Sequence, residues 1–431
     1  MEKDRIIQIL DRWNFWHRKI DVGVRRSFYL DKIKKYLSSP EVIVLTGVRR
    51  SGKSTILLQI INDLIEDGVP PINTLIVNFE DPAFEVETSL SFLRELFDAY
   101  LESFNPKGKI YLFLDEVQLI DKWERFVSSL YDRKEKIKIF VTGSTSKLLQ
   151  SDISTLLSGR YFSEVIYPLN FKEFLDFKKI SYHQIISPQI LHALKEYMEL
   201  GGFPRVVLEK DKSRKVKVLE EYYSSIVERD IIVRQKLKNT KEVKELLLFL
   251  FSNIGNQIST YNIEKLLGLS NENTRRYLEY FEEAFLINMV DFFSHKVKQQ
   301  IYNPKKVYCV DSGLMSVSAF KFSENKGKIA ENIVFNHLLQ NKKEVFYWKN
   351  KTEVDFVIRK KYQICEIYNV CWSLKEKTTI EREISSLEIA KKELKAEWTN
   401  LIYYEKEENL KIDSLKPIGD LLLNEPKQYK Y

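Results

Sequence analysis

Between residues 41 and 170, short runs of apolar residues alternate with longer stretches that repeat at helical spacing. VIVLTG (42–47) precedes STILLQIINDLIEDG (54–68), NTLIVNF (73–79) precedes a helix-period stretch over 90–103, and IYLFLDE (110–116) follows. KIKIFVTG (136–143) and SEVIYPL (163–169) supply two more candidate strands. Strands that are apolar on both faces, each leading into a helix, predict a parallel sheet covered on both sides. The segment 40–170 therefore reads as an α/β core, preceded by a helical leader over 1–39. Residues 171–239 read as a small helical lid, interrupted at Gly201-Gly202-Phe203-Pro204.

The pattern then changes. Helical periods over 242–251, 261–267 and 271–285 are punctuated by Gly268, which closes the second helix, and Ser270, which caps the third. LINMVDFF and KKVYCVD follow as two strands, so 240–316 predicts three helices and a β-hairpin, a winged helix. From 317 to 431 one helix (328–339) is mixed with the strand candidates EVFYWK, EVDFVIR, YQICEIY and NLIYY, an α+β module of its own.

Composition adds limits. A chain of 431 residues with 44% hydrophobic content exceeds one ordinary domain. Its 68 basic and 61 acidic residues leave a net charge of +7, which permits nucleic-acid contact without arguing for it. Cys309, Cys365 and Cys371 have neither disulfide-framework nor zinc spacing and read as buried thiols in a reducing cytoplasm. The amino-terminal MEKDRIIQILDRWNFWHRK is charged throughout, unlike a signal peptide, and the run 246–263 is broken by polar residues. A cytoplasmic protein without a membrane span is expected.

The first chemical signal is Gly47-Val48-Arg49-Arg50-Ser51-Gly52-Lys53-Ser54, with Thr55 next, placed between an apolar strand and a helix. This G-x-x-x-x-G-K-[ST] pattern turns backbone amides toward phosphate oxygens at a helix N-terminus. Lys53 is expected on the β- and γ-phosphates of ATP, and the Ser54 hydroxyl on Mg²⁺. At the tip of the strand 110–116, Asp115 is expected to hold the Mg²⁺ shell beside Ser54, and Glu116 to polarise an attacking water. Ser144, after the next strand, reads either as a γ-phosphate sensor or as ordinary turn chemistry. Arg160 reads either as positive charge for the transition state, from its own chain or a neighbouring copy, or as a surface salt bridge. Asn271, Asn273, Arg275 and Arg276 open the third helix of the winged-helix segment, where amides and guanidiniums suit DNA. Glu279, Glu282 and Glu283 oppose that reading, while Lys296, Lys298, Lys305 and Lys306 offer a basic wing. A lever that transmits the nucleotide state is the alternative.

Together these elements resemble the AAA+ superfamily, and within it prokaryotic ATPases that join a P-loop core to a winged helix and a C-terminal restriction-endonuclease-like, PD-(D/E)XK, module. The resemblance spans nearly the whole chain, from the P-loop through Leu114-Asp115-Glu116-Val117-Gln118 and Thr142-Gly143-Ser144-Thr145-Ser146-Lys147-Leu148-Leu149 to Gly159-Arg160. It continues with Pro168 to Phe174, Gly201-Gly202-Phe203-Pro204, Arg229-Asp230, Asp311-Ser312-Gly313-Leu314, Glu331-Asn332 and Glu353-Val354-Asp355-Phe356. It implies ATP hydrolysis coupled to conformational change. In the last module it implies a metal on Glu331, Asp355 and Glu366, with a lysine two residues beyond the last acid; here that position is Tyr368, which is neutral at pH 7. A degenerate nuclease module is therefore the expectation. The functions in view are a Mg²⁺-dependent ATPase that switches its attached modules, with DNA, a protein partner or a second copy of itself as partners; a non-catalytic nucleotide-gated scaffold; and an ATP-regulated nuclease.

Overall fold

The computed structural model describes residues 2–84, 89–132, 136–148, 157, 159–182, 187–318, 326–407, 412 and 414–424. Leu149 of the quoted motif, like parts of the lid and of the last module, lies outside the described residues. The chain forms two compact units, Met1–Ile166 and Tyr167–Tyr431.

In the first unit the five apolar runs become β1 (Val42–Thr46), β2 (Thr74–Asn78), β3 (Ile110–Asp115), β4 (Ile137–Gly143) and β5 (Tyr161–Val165). They pair in parallel in the order β2-β3-β4-β1-β5, with Val44 opposite Val141 and Leu112 opposite Ile139. This covered parallel sheet is the α/β core that the alternation of runs predicts. The strand pleat sorts the side chains into two cores. Val42, Val44, Leu75, Val77, Leu112 and Leu114 pack with the helices Lys3–Asp11, Leu90–Phe104 and Trp123–Asp132. Ile43, Leu45, Ile76, Phe113 and Phe140 pack on the other face with the helices Ser27–Lys34 and Lys53–Glu66. Each fully buried aliphatic or aromatic side chain contributes about 1.5–3 kcal/mol, which makes this two-sided burial the main support of the sheet.

The amino-terminal segment is more than a leader, because it covers the open edge of the sheet. The outer side of β2 carries unpaired backbone groups, which in an exposed edge would invite another strand. The buried Asn14 side chain mimics one: it accepts from the Ile76 amide at 2.8 Å and donates to the Ile76 carbonyl at 2.9 Å. The Trp16 indole donates to the Thr74 carbonyl at 2.8 Å.

The second unit opens with the helices Phe171–Phe177, Pro188–Leu200, Pro204–Leu208 and Lys212–Ser225, the last running on through the wider turns of Ile226–Val233. The helix Thr240–Ser252 then leads into β6 (Gln257–Ile258), the helices Thr260–Leu267 and Asn271–Glu283, β7 (Ile287–Val290) and β8 (Lys305–Cys309). These strands form a three-stranded antiparallel sheet in the order β6-β8-β7. Gly268 ends its helix in the left-handed region, and the Ser270 hydroxyl accepts from the Asn273 amide, as the sequence suggests.

Then come the helix Lys326–Gln340, the strands β9 (Glu344–Lys349), β10 (Glu353–Lys360) and β11 (Gln363–Leu374), the helix Lys377–Leu394, β12 (Trp398–Lys406), β13 (Leu415–Pro417) and the helix Ile418–Leu423. The sheet is mixed, ordered β13-β12-β11-β10-β9, with β9 to β11 antiparallel and β11 to β13 parallel. A parallel pair such as β11 and β12 needs a crossover, which the helix Lys377–Leu394 provides. That helix escapes pattern reading because only Ser386, Leu387, Ala390 and Leu394 of its 18 residues are buried, and two of these are not strongly apolar.

Replacing Asn14 with leucine keeps its volume but strips the Ile76 amide and carbonyl of partners in a buried setting. Chemical denaturation of Asn14→Leu is expected to show a loss of about 3 kcal/mol from the first unit.

Candidate functional site

At the end of β1 the backbone turns through Gly47 at φ +138°, where a Cβ would sit 2.1 Å from the Ile166 carbonyl oxygen. Only glycine fits there. Arg50 and Gly52 also hold positive φ, and Gly52 leads directly into the helix Lys53–Glu66. The curl leaves the amides of that first turn without intrahelical partners and adds the helix dipole, the arrangement that attracts phosphate. The Ser51 and Thr46 hydroxyls are buried in this loop and have no hydrogen-bond partner.

Lys53 is 3% exposed. Its ammonium donates to the Gly47 carbonyl at 3.0 Å and the Val48 carbonyl at 3.2 Å, and lies 3.4 Å from Glu116 Oε1. The neighbouring strand β3 delivers Asp115 and Glu116 to the same place because β3 and β1 end level in a parallel sheet, with β4 between them. Burial, reinforced by the Glu116 charge, pushes the Asp115 carboxyl up to about 6, against the pull of hydrogen bonds from Thr142 and Ser54 and of the Lys53 charge. For Glu116, burial acts upward too, but Lys53, Gln118, Arg49 and Ser144 outweigh it and hold this carboxyl below its usual range. The two adjacent acids are thus driven in opposite directions, and Glu116 keeps its charge to lower pH than Asp115 does.

Ser144 is buried, with its hydroxyl 3.5 Å from the Gln118 amide nitrogen, which also donates to Glu116 Oε2. The structure therefore brings Lys53, Ser54, Asp115, Glu116 and Ser144 together. Val48, Arg49 and Thr55 lie on the same loop and helix start, and Arg49 pairs with Glu80.

Arg160 is not part of this group. Its guanidinium bonds Asp132 at 2.6 Å and stands over the Tyr131 ring, and its carbonyl accepts from Val42 at the start of β1. The phosphate loop follows the opposite end of β1, a five-residue strand away, or roughly 16 Å at ~3.3 Å per residue. A role for Arg160 toward the phosphates of its own chain does not fit this position.

Three further residues shape the loop. Arg26, almost fully buried, donates to the Ser51 carbonyl at 2.6 Å, and Gln59 fixes the segment that carries it through the Arg26 amide and the Val22 and Val24 carbonyls. Nothing local in the sequence marks Arg26, since its partner lies twenty-five positions away. The Thr142 hydroxyl donates to Asp115 Oδ1 and accepts from the Glu116 amide at 2.9 Å, holding both acids in place.

In the second unit, Arg275 and Arg276 are exposed on the helix Asn271–Glu283, with Arg276 donating to the Asn273 side chain at 2.8 Å and Asn271 at its first position. The basic wing is smaller than expected. Lys305 pairs with Asp291 at 3.0 Å, and Lys306 is turned inward and fully buried, so it cannot meet a phosphate backbone. Lys306 instead joins Glu331 and Asp355. Glu366 stands elsewhere, held by Lys343 at 3.1 Å and the Tyr368 hydroxyl. Among the described residues, no three acid, histidine or cysteine side chains are placed to share a metal ion. The three carboxylates expected to gather there do not.

An AAA domain family matches residues 39–175, and two domains of unknown function, DUF8612 and DUF4143, match 191–325 and 326–421. An uncharacterized Methanocaldococcus jannaschii protein, MJ1544, is 40% identical over 375 residues, which cover 84% of this chain and 81% of the relative. The chain belongs to the family of MJ1544. An uncharacterized Haemophilus influenzae protein is 32% identical over 82% of the chain and 88% of its own length. Among solved structures, the Aeropyrum pernix ORC1 protein in complex with DNA gives a TM-score of 0.35 at 13% identity, covering 78% of this chain and 98% of that one. AMPPCP-bound DnaA from Aquifex aeolicus gives 0.27 at 15% identity, covering 77% and 98%.

Within this AAA domain, Thr142 is a sharp probe because valine matches its shape and removes the hydroxyl. Thr142→Val leaves a buried carboxylate and a buried amide each short of one partner, and is expected to lower stability by about 2 kcal/mol in urea melts.

Proposed function

We propose that the protein is a Mg²⁺-dependent ATPase of the AAA+ class that uses nucleotide binding and hydrolysis to switch the conformation of its attached modules. The observation that carries this reading is the convergence of Lys53, Ser54, Asp115 and Glu116 at the carboxyl end of one parallel sheet, beside a glycine-turned loop that leads into a helix N-terminus. The oxygen donors of Ser54 and Asp115, already bonded to each other, suit Mg²⁺, which when bound offsets phosphate charge. Lys53 trades its two loop carbonyls for phosphate oxygens. Glu116, kept ionised, accepts a proton from the attacking water, and Gln118, bridging to Ser144, fixes the direction of its carboxylate.

The partition that accompanies this reading is a leader over 1–39, a core over 40–170, a lid over 171–239, a winged helix over 240–316 and a restriction-endonuclease-like module over 317–431. Its support in the second unit is topological. Three helices with strands ordered β6-β8-β7 suit a winged helix, and a mixed sheet flanked by the helices Lys326–Gln340 and Lys377–Leu394 suits the last module. Exposed Arg275 and Arg276 favour DNA as a partner. Arg160, distant from its own phosphate loop, is left a γ-phosphate role through a second copy of the chain. No helix among the described residues is long and apolar enough to cross a membrane.

Lys53→Ala is expected to abolish ATP binding in calorimetry, whereas Glu116→Gln keeps binding and lowers single-turnover phosphate release at least a hundredfold, within the usual range for a lost general base. Undiminished turnover in Glu116→Gln would overturn the assignment. Because the Asp115 carboxyl titrates at about 6, the ionised form that holds Mg²⁺ is lost as pH falls through that value. Affinity for Mg²⁺ with a non-hydrolysable nucleotide should therefore weaken on acidification from pH 7 to 5, and titrations of Asp115→Asn should lack the protein's share of that slope.

A further inference from the structure

The resemblance to restriction-endonuclease-like folds implies a divalent metal on Glu331, Asp355 and Glu366. The residues present do not fit one. Strand alternation sends Lys305 outward and Lys306 inward, and the Lys306 ammonium ends 3.2 Å from Glu331 Oε1, 2.8 Å from Glu353 Oε1 and 3.1 Å from Asp355 Oδ1. An ammonium has three N–H donors, and here each meets a different carboxylate.

The remaining carboxylate oxygens are also engaged. Glu331 Oε2 accepts from Lys328 at 2.9 Å, Asp355 Oδ2 from the Val370 amide at 2.9 Å, and Glu353 Oε2 pairs with Lys349 at 3.2 Å. The Tyr308 hydroxyl adds a second donor to Glu331 Oε1 at 2.7 Å. Three carboxylates thus face three ammonium groups, so no uncompensated negative charge is left to draw a divalent cation out of water. Gly255 makes room for this packing: it holds φ +71°, and a Cβ there would come within 2.8 Å of Glu331 Oε1.

We infer that Lys306 is a tethered cation that fills this carboxylate cluster in place of a divalent metal, closing the module to metal for as long as β8 holds its position. The lysine cannot leave by a rotamer change alone. β8 is the middle strand of its sheet, with Lys306 opposite Gln257 of β6 and Val290 of β7, so withdrawing the backbone breaks ladders on both sides. The cluster borders a cavity of about 570 Å³ lined by Lys328, Glu331, Glu353, Asp355, Asn369 and Arg382 among others, which gives a freed site access to solvent.

The test uses the full chain without nucleotide, with Mn²⁺ as probe and thermal melting plus calorimetry as readouts. Wild type is expected to show no Mn²⁺ response. Lys306→Ala is expected to melt roughly 10 °C lower, since it leaves three carboxylates facing two ammonium groups, and to recover several degrees on binding one Mn²⁺. Adding Asp355→Asn to that variant should remove the metal response. Wild-type Mn²⁺ binding that disappears in Asp355→Asn overturns the inference, as does a folded Lys306→Ala that binds no metal. If Lys306→Ala fails to fold, the triple variant Lys306→Ala, Glu353→Gln, Asp355→Asn should fold, because it removes the uncompensated charge. Failure of the triple variant to fold counts equally against the proposal.

Discussion

An ammonium group taken out of water must find carboxylates or carbonyls around it, because burying an unpaired charge is prohibitively costly. Each unit holds one such group against its cluster of acids. In the first, Lys53 is buried against two loop carbonyls and Glu116. In the second, Lys306 is buried against three carboxylates that belong to the helix Lys326–Gln340 and to β10. The first arrangement is open to exchange because carbonyls are weak partners for a cation compared with phosphate. The second is closed, since Lys306 together with Lys328 and Lys349 balances the three carboxylates.

The same requirement explains the split between Asp115 and Glu116. Two adjacent carboxyls at one strand tip cannot both ionise cheaply when buried. Lys53 and its neighbours favour the charge on Glu116, and Asp115, surrounded by hydroxyls, is pushed up. The difference between the two carboxyls thus follows from what packs beside each of them. The amino-terminal segment supports this geometry at two points, through Asn14 at the sheet edge and Arg26 at the phosphate loop.

Much of the first unit is legible along the chain. Apolar runs bounded by Gly47 and Gly143 give strands within a residue or two of those observed, and the P-loop spacing identifies its own turn, helix start and lysine. The carboxylates Asp115 and Glu116 are readable because a parallel sheet places consecutive strand ends at one edge. Thr142, Gln118 and Arg26 are not readable, because a side chain that bonds across strands or from an upstream segment leaves no periodic trace. In the last module the resemblance points to Glu331, Asp355 and Glu366, yet Glu366 goes to Lys343 and Tyr368, and Glu353 joins Glu331 and Asp355 in the cluster.

The sequence alone determined that a parallel sheet carries a phosphate loop, because strand hydrophobicity, glycine placement and helix period are local properties that survive without knowledge of the neighbours. Tertiary structure alone decided which charges meet. Lys305 and Lys306 are identical in sequence terms, but the pleat of β8 places one in solvent and the other among acids. Arg160 and Asp132 are likewise partners only because β5 begins beside the end of the helix Trp123–Asp132. Electrostatic energy depends on separation in space rather than along the chain, and no pattern of residues in one dimension contains that distance.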